Sequence, residues 1–117
     1  METGAIPIVA LICASSHQER DIECFFVRKQ AKSHGERKSG ISDKIDGNLK
    51  SNSNVVIVDD VTTTGGSIMD AINEVKQAGC EIIKVITIID RSQGAKENLA
   101  KDGIKLDALF IAKDFGL

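Results

Sequence analysis

Val55-Val56-Ile57-Val58-Asp59-Asp60-Val61-Thr62-Thr63-Thr64-Gly65-Gly66-Ser67 is the stretch that decides the fold of this 117-residue chain. Its four consecutive β-branched apolar residues read as a strand buried on both faces, as inside a parallel sheet. Two aspartates end the strand, and a turn rich in hydroxyls and glycine opens directly into a helix. Ile68, Ala71, Ile72 and Val75 share one face of that helix, and Gly79 stands where it should stop.

Downstream the pattern repeats. Ile82-Ile83-Lys84-Val85-Ile86-Thr87-Ile88-Ile89 reads as a second buried strand ending in Asp90-Arg91, and a helix is expected over residues 95–101, stopping near Gly103. Residues 104–112 supply a last strand with period two at Ile104, Leu106, Ala108 and Phe110. Upstream, a helix is expected over residues 5–17, with Thr3 as its cap and Pro7 in the first turn, where a missing N–H costs little. Its apolar run, residues 6–14, is too short to span a bilayer and has no Lys or Arg ahead of it, so it reads as a buried helix and not as a signal sequence. A strand follows over residues 23–28. Residues 29–54 turn polar, with Ile41, Ile45 and Leu49 isolated, and read as one long flexible loop of the kind that serves as a lid or binding loop. The expectation is one α/β domain over residues 1–117, a mostly parallel central sheet with flanking helices.

Composition narrows the function. With 15 Lys+Arg against 17 Asp+Glu, a net charge of -2, no Trp, no Tyr and four Phe, the chain lacks the basic excess and the stacking aromatics of a nucleic-acid binder. No membrane partner is expected. Cys13, Cys24 and Cys80 are odd in number and lack a CxxC pair, so they read as buried free thiols in a cytoplasmic protein.

The chemistry is written at residues 59–67. Glycines let backbone N–H groups converge on an anion, hydroxyls add donors, and a helix N-terminus adds its positive dipole end. Two carboxylates beside such a cradle suit sugar hydroxyls or a hydrated Mg²⁺. An ordinary strand-to-helix turn with a threonine cap is the plain alternative, but it needs neither the paired aspartates nor Gly65-Gly66. A second cluster, Arg28, Lys29, Lys32, His34, Arg37 and Lys38 against the single Glu36, is locally cationic in an acidic chain. It suits a pyrophosphate leaving group, whose charge grows as its bond breaks; a solvated basic loop is the alternative.

The acidic pair and the T-T-G-G-S turn resemble the PRPP-binding motif of type I phosphoribosyltransferases, and Arg28-Lys29-Gln30-Ala31-Lys32-Ser33-His34-Gly35 is similar to the catalytic loop of the orotate branch. Gln30 and Ser33 stand where that branch commonly has acidic residues. The resemblance implies a transfer of the phosphoribosyl group from PRPP to orotate, giving orotidine 5'-phosphate and pyrophosphate, with Mg²⁺ as cofactor. It also implies that Asp59 and Asp60 contact the ribose hydroxyls and steady the reacting ribose. Val61, Thr62, Thr63, Thr64, Gly65, Gly66 and Ser67 would wrap the 5-phosphate. Arg28, Lys29, Lys32 and His34 would hold the pyrophosphate, with Lys29, Lys32 and His34 catalytic, and Thr3 and Gly4 would lie in a turn that also contacts it. Thr63 and Arg91 would meet orotate; a surface Arg91 paired with Asp90 is the alternative there. The resemblance further implies a homodimer whose loop reaches into its neighbour's site. It places, ahead of the position of Glu2, a segment that forms a hood over the base, so the expectation for this chain is that PRPP binds better than orotate. A PRPP-binding regulator without turnover, or a phosphoribosyltransferase for another base, are the competing readings.

Overall fold

A computed structural model describes residues 2–16, 23–27, 45–47 and 49–116. The elements run α1 (Glu2–Ser16), β1 (Phe25–Val27), β2 (Ile45–Gly47), β3 (Asn54–Thr62), α2 (Gly66–Gln77), β4 (Glu81–Asp90), α3 (Ala95–Ala100) and β5 (Leu106–Ile111), closed by a 3-10 turn at Ala112–Phe115. Strands β3, β4 and β5 form a three-stranded, fully parallel sheet in that order, while β1 and β2 pair antiparallel as a separate ribbon. The α/β reading with a mostly parallel sheet holds. Each parallel connection passes through a helix, as parallel pairing demands.

The helices α2 and α3 cover one face of the sheet. Ile68 and Ile72 of α2, Val85 of β4, Leu99 of α3 and Leu106 of β5 form one buried cluster. Val75 at the far end of α2 joins Val55, Ile45, Leu49 and Cys80 in a second. Ile57 and Ile82 touch both, so the two clusters run on into each other. The helical face read at Ile68, Ile72 and Val75 is the buried face.

Several expectations need correction. The strand at residues 55–58 is not buried along its length: Val55 is buried and Val56 is 43% exposed. Its register to β4 is irregular, Val55 facing Ile82 and Val56 facing Lys84, which leaves Ile83 as the extra residue, 60% exposed. Period two in β5 holds for the buried Leu106 and fails at Phe110, which lies near the strand's end and is 46% exposed beside Phe115. The stretch read as one polar loop contains β2, whose Gly47 sits at φ +116 against Phe25; a Cβ there would lie 2.9 Å from the Cys24 carbonyl oxygen and from Phe25 Cα. Ile45 and Leu49, taken as isolated, are buried under α2.

Helix α1 starts at Glu2, earlier than expected, so Thr3 lies inside it and not at its cap, and Pro7 sits in the helix interior. The missing Pro7 N–H therefore removes one hydrogen bond to a carbonyl four residues back. Nor is α1 buried: it packs on β3 and β1, with Ile8, Val9 and Cys13 half-covered and Leu11 and Ile12 exposed. That packing brings the Cα atoms of Cys13 and Cys24 to 6.7 Å and the two are joined as a disulfide, a contact the spacing in sequence does not signal. Of the three thiols, Cys80 alone is free and buried, donating to the Lys50 carbonyl at 3.1 Å. Among the described residues no helix is long and apolar enough to cross a membrane.

Leu99 is fully buried at the centre of the first cluster. Leu99→Ala should lower the unfolding free energy by about 2–5 kcal/mol, read by urea denaturation, because α3 has few other anchors and the cavity has no side chain to fill it.

Candidate functional site

The carboxyl ends of β3 and β4 lie side by side, and every described candidate residue except Thr3 and Gly4 is there. Asp59 faces Thr87 in register, and Thr62 faces Asp90. The two strand ends are tied across by the Arg91 N–H, which donates to the Thr62 carbonyl at 2.9 Å. Beyond that tie the chains leave the sheet through two similar turns, each ending in a left-handed glycine that begins a helix: Gly65 at φ +89 before α2 and Gly94 at φ +104 before α3.

Asp59 is buried and Asp60 half-buried. The Asp60 N–H donates to Asp59 Oδ1 at 2.9 Å. Burial pushes Asp59 above the usual carboxylate value, and its side-chain hydrogen bond with Asp60 pushes it further. Burial also pushes Asp60 upward, but the hydrogen bonds it accepts from Asp59 and from the Val61 backbone outweigh that, and it titrates below the usual value. The pair therefore takes its first proton on Asp59. Asp60 Oδ1 is buried with no hydrogen-bond partner among the described residues. A buried carboxylate oxygen without a donor is costly alone, and it fits a group that brings one: a sugar hydroxyl or a water held by a divalent cation. Among the described residues no group of three His, Cys, Asp or Glu is placed to grip a metal directly.

The turn that follows presents Thr63, Thr64, Gly66 and Ser67 to solvent, while Gly65 is buried. Among the described residues no side chain caps α2, and no acidic residue occupies its first turn, so the N–H groups there suit an anion. The turn is fixed from the next helix. The Asn98 side-chain amide donates to the Thr64 carbonyl at 2.8 Å, and a Cβ on Gly65 would lie 3.4 Å from Ala95. Thr62 differs from its neighbours: only 2% exposed, its hydroxyl donates inward to Thr87 Oγ1 at 3.0 Å. It supports the turn from below and does not line it.

Arg91 is exposed at the mouth of this site. The Asp90 carboxylate accepts the Ser92 N–H at 2.9 Å. Thr3 and Gly4 lie within α1, so the turn expected there is helix. Arg28, Lys29, Lys32 and His34 lie outside the described residues. Asn98 and Thr87 were missed by the sequence reading. Asn98 reaches Thr64 across 34 positions with no local signal, whereas Thr87 did leave one, a lone hydroxyl in the apolar run after Lys84.

Residues 2–116 match the phosphoribosyl transferase domain. The chain is 40% identical over 116 residues to the orotate phosphoribosyltransferase of Rhodopseudomonas palustris (strain TIE-1), covering 98% of this chain and 62% of that protein. To the orotate phosphoribosyltransferase of Methanocaldococcus jannaschii it is 38% identical over 114 residues, covering 97% and 60%. Among solved structures, the Mycobacterium tuberculosis H37Rv orotate phosphoribosyltransferase in complex with Fe(III) dicitrate superimposes with a TM-score of 0.73 at 35% identity, over 84% of this chain and 53% of that one. The same enzyme in complex with PRPP gives 0.68 at 30% identity, over 81% and 51%. The chain thus spans about three-fifths of the length of the curated relatives it matches.

Gly65→Ala should cost roughly 1–2 kcal/mol of stability, since φ +89 is left-handed and the added methyl would press on Ala95. Chemical denaturation of the variant beside wild type measures it; Gly66→Ala, with only the Thr64 hydroxyl near its Cβ, should cost clearly less.

Proposed function

We propose, because this chain belongs to the phosphoribosyl transferase domain family, that it carries the PRPP-binding core of an orotate phosphoribosyltransferase, moving the phosphoribosyl group from PRPP to orotate. Orotate N1 attacks ribose C1, the bond from C1 to the pyrophosphate oxygen breaks, and orotidine 5'-phosphate and pyrophosphate leave. The observation that carries this reading is the pairing, at one strand end, of a partnerless buried carboxylate oxygen on Asp60 with an uncapped α2 N-terminus.

Each group has a task. Ribose hydroxyls donate to Asp59 and Asp60, which fixes the sugar and favours the positive charge that builds on it as the bond breaks. The 5-phosphate accepts from the backbone N–H groups of residues 63–67 and from the hydroxyls of Thr63, Thr64 and Ser67. Val61 contributes backbone to the same wall. Arg91, exposed and tied by its backbone to Thr62, is assigned to the orotate carboxylate together with Thr63, on the sequence resemblance. Arg28, Lys29, Lys32 and His34 are assigned to the pyrophosphate on the sequence resemblance. Mg²⁺, bound with PRPP, supplies charge neutralisation of the leaving pyrophosphate, and the Asp59 and Asp60 carboxylates fit acceptance of its water ligands.

The reading includes a homodimer. The exposed apolar side chains Leu11, Ile83 and Leu109 support a covered surface of this kind. The reading keeps the cytoplasmic setting expected from the sequence, although Cys13 and Cys24 are paired and so do not support it as free thiols.

Calorimetric titration with PRPP and Mg²⁺, followed by an orotate-consumption assay on the same sample, tests the function; binding without consumption would leave a PRPP-binding regulator. Asp60→Asn should weaken PRPP binding by about tenfold or more, as expected for a lost charged hydrogen bond. Affinity should also fall in acid, beginning above pH 3.8, because Asp59 protonates first from a raised value. The sign for stability is opposite. A carboxyl whose folded value is raised destabilises the fold as pH rises through the interval between its unfolded and folded values, so Asp59→Asn should unfold no more easily than wild type at pH 7. Unchanged PRPP affinity in the Asp59→Asn/Asp60→Asn double variant would contradict the assignment.

A further inference from the structure

Thr87 is a fully buried polar residue on β4, and nothing in the phosphoribosyl chemistry itself calls for it. Its neighbours along the strand are aliphatic, and a valine of the same shape would fill the site without placing a hydroxyl out of water. The hydroxyl has three partners. Thr62 donates to it at 3.0 Å, and it stands 3.3 Å from the Asp60 carbonyl and 3.2 Å from the Ile89 carbonyl, to one of which it gives its single hydrogen. Two of the three belong to β3, at Asp60 and at its last residue, Thr62. The ladder pairs Asp59 with Thr87 and resumes at Val61 with Ile89, leaving Asp60 between the pairs. The Thr87 hydroxyl sits under that gap.

We propose that Thr87 is a positioning residue for the ribose phosphate site, its hydroxyl holding Asp60 and Thr62 at the end of β3 and so setting the direction in which the 63–67 turn leaves the strand. This rests on the reading of residues 59–67 as the PRPP site. Thr87 touches no substrate; it acts through the Asp60 carbonyl and the Thr62 side chain. A hydrogen bond fixes direction as well as distance, so without it the Asp60 carboxylate and the turn's N–H groups sample orientations that no longer converge on one ligand. The Thr62 hydroxyl, itself buried, loses the acceptor Thr87 Oγ1 at the same stroke.

The test compares Thr87→Val, which keeps the shape and deletes the hydroxyl, with Thr87→Ser, which keeps the hydroxyl. Calorimetry with PRPP and Mg²⁺ reads binding, and thermal unfolding reads stability on the same samples. Thr87→Val should bind PRPP about tenfold more weakly while melting within a few degrees of wild type, and Thr87→Ser should return to within about twofold of wild-type affinity. Thr62→Val breaks the same bond from the other side. It should lose a similar factor, and the Thr62→Val/Thr87→Val pair should lose little more than either alone. Should Thr87→Val fail to fold, Thr62→Val against Thr87→Ser still decides. Wild-type affinity in Thr87→Val or in Thr62→Val, or a Thr87→Ser loss as large as that of Thr87→Val, would overturn the proposal while leaving the site assignment standing. Absence of PRPP binding by the wild-type chain would instead overturn the site assignment, and this role with it.

Discussion

The candidate site depends on the carboxyl ends of β3 and β4 being held level with each other. Parallel strands end together on one edge, and whatever leaves that edge leaves side by side. Here the level is set by the Arg91 N–H on the Thr62 carbonyl and by the buried Thr62 hydroxyl on Thr87. Shift β4 by one residue and Thr87 would exchange faces, its hydroxyl would leave Thr62, and the 63–65 and 92–94 turns would no longer meet at Gly65 and Ala95. The irregularity at Ile83 lies near the other end of the strand, so it bends the register where no functional group depends on it.

That edge concentrates opposed electrostatics in a small space. The acidic pair and the uncapped α2 N-terminus are neighbours, one suited to hydroxyls or hydrated cations and the other to anions. A ligand with both a diol and a phosphate would satisfy the two at once, and that is the class of ligand proposed for this edge. The helices on the far side supply rigidity: α2 carries the anion end, and α3 holds the turn through Asn98. The core below them is aliphatic and packed, so the turn rests on a platform that gives little.

How much was legible in the sequence follows from how local each signal is. The path from β3 through β5 was readable because strand runs, helical faces and stop glycines are written within a few residues of one another. The acidic pair and the glycine turn were readable for the same reason. Thr62 was legible as a motif member but not in its role, since only the three-dimensional neighbour Thr87 shows that its hydroxyl faces inward. The first half was read less well. A uniformly apolar α1 carries no face to orient it, and its exposure is decided by what packs on it. The two-stranded ribbon rests on Gly47 approaching Phe25 across a long stretch of chain, and the cysteine pairing depends on how α1 meets β1. Such long-range contacts have no local spelling.

Residues 59–67, backed by β4 and α3, are proposed to form a single site for a phosphorylated ribose. An amide-resolved NMR titration of the ¹⁵N-labelled chain with PRPP and Mg²⁺ tests it most directly. The largest shifts should fall on residues 59–67, with smaller ones at Arg91 and Asn98 and almost none at the α1 or Phe115 ends. Shifts centred elsewhere, or none at saturating PRPP, would contradict it.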